Sequence, residues 1–196
     1  GDIEHWNCNS AVSPLSSNFV NSLYSKDGQI WVGTETGGIT KLVPRLLQLE
    51  FYQNDPRNPG SIARNAVNAM FPAPDGTLWV GVVEGGLNAL SPHSKNFVHY
   101  TTANSGLPHN SVSTLAADGH GNLWIGTWGG GVAVMPLGEP GKMQRLLVGD
   151  RYQGLLSFVG AFAYDAINDG MWIGTNDGLF FYDIKKRLLE EPFPHC

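Results

Sequence analysis

Tryptophan recurs at positions 31, 79, 124 and 172, at intervals of 48, 45 and 48 residues, inside four matching segments. They read DGQIWVGTETGGI (27–39), DGTLWVGVVEGGL (75–87), HGNLWIGTWGGGV (120–132) and DGMWIGTNDGL (169–179). A period of this length marks a repeat architecture, in which each copy is one supersecondary unit that needs neighbours to cover its apolar faces. A weaker match precedes three of the copies: LSSNFV (15–20), IARNAV (62–67) and LPHNSV (107–112). The fourth departs, with LLSFVG (155–160) and no Asn. An apolar-aromatic strand follows, as LEFYQN (49–54) and NFVHYT (96–101).

Each period resolves into four short strands. In the second copy they are expected at 67–72, 77–82, 86–91 and 96–101. Asp75-Gly76 supplies the first hairpin, because Asp and Gly tolerate positive φ. Gly85-Gly86 supplies the next turn, and residues 91–95 the third. Strands such as Leu78-Trp79-Val80 are apolar on both faces, which fits sheets covered on both sides. Stacked propeller blades meet that condition. The expected fold is therefore all-β: β-propeller blades, four repeats of four-stranded antiparallel sheets, as a fragment of a larger propeller. The blades fall at 15–54, 62–101, 107–149 and 155–193. Residues 2–7 (DIEHWN) fit the last strand of a preceding blade.

Several repeated positions read as structural. The four tryptophans are locked to the period and are expected in the core. Asn18, Asn65 and Asn110 are suited to satisfy loop backbone groups at strand entry. Gly33, Gly81, Gly126 and Gly174 would allow close backbone approach.

Composition supports a turn-rich β protein: of 196 residues, 25 are Gly and only 15% are charged. The formal net charge is −5 and no basic block occurs, which argues against nucleic acid or an anionic membrane surface as partner. No apolar run approaches the length of a membrane span. Cys8 and Cys196 lie near opposite ends, so a disulfide between them requires the termini to meet. A start at Gly1 without Met reads as a piece of a longer protein.

The pattern L-x-x-N-x-V, followed about a dozen residues later by D-G-x-[LI]-W-[VI]-G-T-x-x-G-G-[LI], resembles the two-component regulator propeller repeat. That resemblance covers nearly the whole chain. It implies the periplasmic sensor region of a membrane-bound bacterial regulator, often a hybrid histidine kinase, and in many cases one that senses oligosaccharides. Propellers of that family typically have seven blades, whereas this chain has four copies and one leading strand. It carries no kinase, receiver, DNA-binding or transmembrane segment, so signal output is not expected from it.

Catalytic signatures are missing from the sequence. No Gly-x-Ser-x-Gly elbow occurs, and histidines 5, 93, 99, 109, 120 and 195 lack metal-binding spacing. The clusters Gly37-Gly38 and Gly129-Gly130-Gly131 are turn glycines rather than phosphate loops. No cofactor is expected. A lyase-type propeller enzyme would need a His with a carboxylate partner, and the sequence shows no such cluster.

The informative positions are those where the blades differ inside the shared frame. The turns between second and third strands carry Glu35-Thr36, Val83-Glu84, Trp128-Gly129 and Asn176-Asp177. Packing does not demand an indole at 128, since the matching residues are Glu35, Val83 and Asn176. An exposed ring with nearby carboxylates and amides suits a sugar, whose C–H face it can cover. The expected ligand residues are Trp128, Glu35, Glu84, Asn176 and Asp177, with an oligosaccharide as ligand. Links between blades add Asn54, Asp55, Arg57, Asn104, His109 and Arg151. Self-association through exposed blade faces is also expected, and the alternative function is a scaffold for protein–protein assembly.

Overall fold

The computed structural model describes residues 5–9, 14–43 and 48–190. Sixteen strands lie among them, arranged as four sheets, each a meander of consecutive strands. The first sheet is β1 (Val20–Lys26), β2 (Gln29–Thr34), β3 (Ile39–Val43) and β4 (Gln48–Tyr52). Next come β5 (Val67–Pro72), β6 (Leu78–Val82), β7 (Gly86–Leu90) and β8 (Phe97–Tyr100). The third holds β9 (Val112–Ala117), β10 (Asn122–Thr127), β11 (Val132–Pro136) and β12 (Gln144–Arg145). The fourth holds β13 (Val159–Asp165), β14 (Gly170–Thr175), β15 (Gly178–Asp183) and β16 (Leu188–Glu190). Helix is confined to a 3₁₀ turn at Pro140–Lys142 and one turn, α1, at Asp150–Gln153.

The all-β fold of four-stranded antiparallel blades is thus what the repeat anticipates. The strands of the second sheet lie within a residue of the positions read from the sequence. Residues 5–7 form no strand, and residues 2–4 of the expected leading strand lie outside the described residues, as do 191–193 of the fourth blade.

Turn chemistry follows the sequence with one correction. Asp27 and Gly28 both adopt positive φ and close a two-residue hairpin between the paired Lys26 and Gln29. At the matching place in the second sheet only Gly76 is left-handed. Asp75 instead accepts the Thr77 N–H with its carboxylate, in a longer turn closed between Ala73 and Thr77.

The chain divides into two compact units: residues up to Val83 with Asn88–Val98, and Glu84–Leu87 with the residues from His99 onward. The first unit is cored by Ile39, Ile62, Val67, Leu78, Val80, Val82, Leu90 and Phe97. The second is cored by Trp124, Val132, Val159, Met171, Ile173, Phe180 and Tyr182. Full burial of each such side chain contributes about 1.5–3 kcal/mol.

Of the repeated glycines, Gly33 and Gly126 permit close sheet-to-sheet approach, whereas a Cβ on Gly174 would meet only Ala161 of its own sheet, at 3.8 Å. A Cβ on Gly33 would sit 2.7 Å from Val67 Cγ1, and one on Gly126 would sit 2.8 Å from Val159 Cγ1. The asparagines play the part read for them. The side-chain oxygens of Asn18, Asn65 and Asn110 accept the backbone N–H groups of Cys8, Asn54 and Thr102 at 2.8, 2.7 and 2.9 Å. The tryptophans need correction. Trp79 and Trp124 are buried, but Trp31 and Trp172 are only partly covered.

Candidate functional site

One hydrogen bond repeats in all four sheets. The backbone N–H of Glu35, Val83, Trp128 and Asn176 donates to the carbonyl of Phe19, Ala66, Ser111 and Phe158, at 2.9, 2.9, 2.9 and 3.3 Å. It ties each turn between second and third strands to the residue that enters the first strand of the same sheet. A second set ties the turns onward: Gly38 donates to Asn65, Gly86 to Asn110 and Gly129 to Ser157. Turns and inter-blade links are therefore held together at one end of the strands, by backbone bonds that do not use the turn side chains.

In the second unit these bonds gather four of the five expected ligand residues. Trp128 is 43% exposed and forms a backbone bridge with Phe158, which is 46% exposed. Glu84, with φ +53, donates its N–H to Ser111 Oγ at 3.2 Å and leaves its side chain exposed. Asn176 is joined to Phe158 as above, and Asp177 donates its N–H to Thr175 Oγ1 at 3.0 Å. Both side chains are exposed. Glu35 belongs to the first unit, where it is exposed beside Phe19.

His109 also belongs to this end. Its Nδ1 accepts the Ser111 N–H at 3.0 Å, and a Cβ on Gly129 would lie 3.1 Å from its ring. Phe158 was not singled out by sequence. The matching entry positions hold Phe19, Ala66 and Ser111, so a phenylalanine recurs there in the first and fourth copies and does not mark position 158 as a departure from the repeat. The link residues Asn54 and Asp55 act locally: Asn54 holds the carbonyls of Ile62 and Ala63, and Asp55 pairs with Arg57 at 3.2 Å. Asn104 likewise caps its own loop through Thr101 and His99.

The expectation that no His–carboxylate cluster exists is overturned. His120 Nε2 lies 2.6 Å from Asp169 Oδ1, and the Tyr164 hydroxyl donates to the same oxygen at 3.0 Å. Forty-nine residues separate His120 from Asp169, so only the folded chain brings them together. The hydrogen bond and charge of Asp169 raise the His120 pKa, and the His120 bond lowers that of Asp169. This pair lies at the hairpin end of β9, the opposite end from Ser111 and Trp128. Among the described residues no three His, Cys, Asp or Glu side chains are placed to hold a metal.

A profile described as two component regulator propeller matches residues 14–36 and 106–129, the link, hairpin and turn regions of the first and third sheets. Comparison with curated proteins gives no match. Among solved structures, the extracellular domain of a hybrid two component system of B. thetaiotaomicron is similar at TM-score 0.77 and 23% identity, covering 94% of this chain and 25% of that one. The extracellular domain of a one component system of the same organism gives TM-score 0.77 at 19% identity, with 94% and 26% covered. Virginiamycin B lyase of Staphylococcus aureus gives TM-score 0.64 at 16% identity, with 88% and 55% covered. The chain spans about a quarter of the length of the two extracellular domains. At these identities the likeness concerns the fold, and it is the profile match that names the repeats. Two segments of the chain, residues 14–36 and 106–129, match the two component regulator propeller repeat.

Proposed function

We propose that this chain is a non-catalytic, extracytoplasmic ligand-sensing propeller segment of a two-component regulator, and that it takes an oligosaccharide at the Trp128 end of its second unit. The observation that carries the reading is the exposed Trp128–Phe158 pair, held by a backbone bridge among Glu84, His109, Asn176 and Asp177. Two half-exposed rings on a rigid backbone offer stacking surface at low ordering cost. Carboxylates and an amide around them can accept and donate hydrogen bonds to sugar hydroxyls. The extracellular two component domains to which the fold is similar support the sensor part of this reading.

The test is a panel of oligosaccharides screened by thermal shift, since a ligand that binds only the native state raises its melting temperature. A hit is then measured by calorimetry against Trp128→Ala and Phe158→Ala. Each variant should melt like the parent and bind about 1–3 kcal/mol more weakly. Unchanged affinity in both would remove this end of the unit as the site.

A further inference from the structure

The first unit contains a cavity of about 340 Å³ at the hairpin end of its strands, lined by Lys26, Asp27, Trp31, Pro72, Leu90 and Pro92 among others. The internal repeat explains why it is open. In the second unit the matching tryptophan, Trp124, is 2% exposed. It is covered edge-on by Phe162 and Tyr182, with ring centroids at 6.2 and 5.5 Å, and Tyr164 packs against the same cluster.

Strand register identifies the corresponding residues in the first unit. Tyr164 pairs with Met171, the residue before a repeat tryptophan, as Pro72 pairs with Leu78. Phe162 pairs with Ile173 as Met70 pairs with Val80. Tyr182 pairs with Met171 on the other side, the place that Leu90 holds in the second repeat. Two phenols and one phenyl ring have thus been replaced by Pro, Leu and Met. Trp31 is left partly open, with Tyr52 stacked on it at 5.6 Å and the Lys41 ammonium 5.1 Å from its ring centroid.

The polar groups of the slot have changed in step. Trp124 and Trp172 donate their indole N–H to Asp118 and Asp165, at 2.9 and 3.4 Å. Register puts Lys26 at that place in the first sheet, and among the described residues the Trp31 indole N–H has no acceptor. His120, which in the second unit faces the Asp169 carboxylate, is matched by Asp27, and Asp27 lines the cavity. The slot therefore presents an acceptor in Asp27 and donors in the Trp31 indole and Lys26.

We propose that this cavity binds a phenolic ring, with the ring in the space that tyrosines fill in the second unit and the hydroxyl between Asp27 and the Trp31 indole N–H. A hydroxyl both donates and accepts, which a carboxylate or an ether oxygen cannot do. The flat walls given by Trp31, Pro72 and Pro92 suit an aromatic ring. The volume lies in the range of small-molecule sites. The ring can come from a free phenol or from the side chain of a tyrosine in another polypeptide. The site is separate from the Trp128 end and does not depend on that reading.

The experiment titrates the protein with p-cresol, N-acetyltyrosinamide, toluene and glucose, following the Trp31 indole N–H in NMR spectra, assigned by its loss in Trp31→Phe. Saturable binding of p-cresol, at least tenfold tighter than toluene or glucose, is expected. Binding of N-acetyltyrosinamide as tight as p-cresol would assign the ring to a polypeptide partner; p-cresol alone would assign it to a free phenol. Copying the second unit with Pro72→Tyr and Leu90→Tyr should fill the slot and weaken p-cresol at least tenfold. Should that pair fail to fold, Asp27→Asn, at an exposed hairpin position that Asn tolerates, should weaken p-cresol at least threefold and leave toluene unchanged. Absence of saturable p-cresol binding overturns the proposal. So does undiminished binding in the folded filled variant, or in Asp27→Asn.

Discussion

Ser113 donates its hydroxyl to the carbonyl oxygen of Val159 at 2.6 Å, joining the bulge at the start of β9 to the first residue of β13. Asn21 occupies the same bulge of β1 and donates its amide to the carbonyl of Val67, the first residue of β5, at 3.2 Å. The bulge frees a side chain from its own ladder and aims it at the next sheet. Ser113 is buried, so Ser113→Ala leaves the Val159 carbonyl short of a partner. The expected cost is about 1–3 kcal/mol, read as a lower urea midpoint with an unchanged slope.

The His120–Asp169 bond predicts a pH dependence of stability with a definite sign. The His120 pKa is raised above its ordinary 6.5, so its contribution is complete below that value and fades as pH rises through the raised one. The Asp169 pKa is lowered below 3.8, so its contribution is present above that value and is lost as pH falls through the lowered one. The clasp is therefore strongest between the two. His120→Gln should melt below the parent at about pH 5.5, and the gap should close by about pH 9. A gap that does not change with pH would assign His120 a packing role only.

Trp124 and Trp172 stand at the same place in the repeat but not in the same environment. Trp124 is buried under Phe162 and Tyr182, whereas Trp172 is partly exposed, with Phe181 of its own sheet at 4.9 Å. Trp124→Ala should cost about 3–5 kcal/mol. Trp172→Ala should cost well under half of that, by the same equilibrium measurement.

Leu179 is 46% exposed, and Trp172 and Phe181 line an open cavity of about 360 Å³ rimmed by Asp183, Lys186 and Glu190. Apolar faces with a charged rim favour association. We propose that this face mediates self-association. Sedimentation velocity should show mass rising with concentration for the parent and less so for Leu179→Lys at equal concentration.

How much of this was legible in advance differs by feature. The period of the tryptophans and the Asn-x-Val entries are local signals, each fixed by residues near in sequence, so they placed the strands of the second sheet within a residue. Trp128 was legible for the same reason: a break in a repeat can be seen in the repeat. Phe158 carried no such signal, because the first copy also has a phenylalanine, Phe19, at the matching entry position.

By itself, the sequence determined the four-sheet all-β plan, because turn residues and short apolar strand runs, repeated at a fixed period, act over a few residues at a time. Only the tertiary structure decided which tryptophans are buried, since that depends on whether Phe162 and Tyr182 or Met70 and Leu90 face the ring from the next sheet. It also decided that His120 meets Asp169 and Tyr164, a pairing across 49 residues that no local spacing encodes. Side-chain contacts between sheets depend on how two hairpins sit against each other, and that geometry exists only once both sheets are folded.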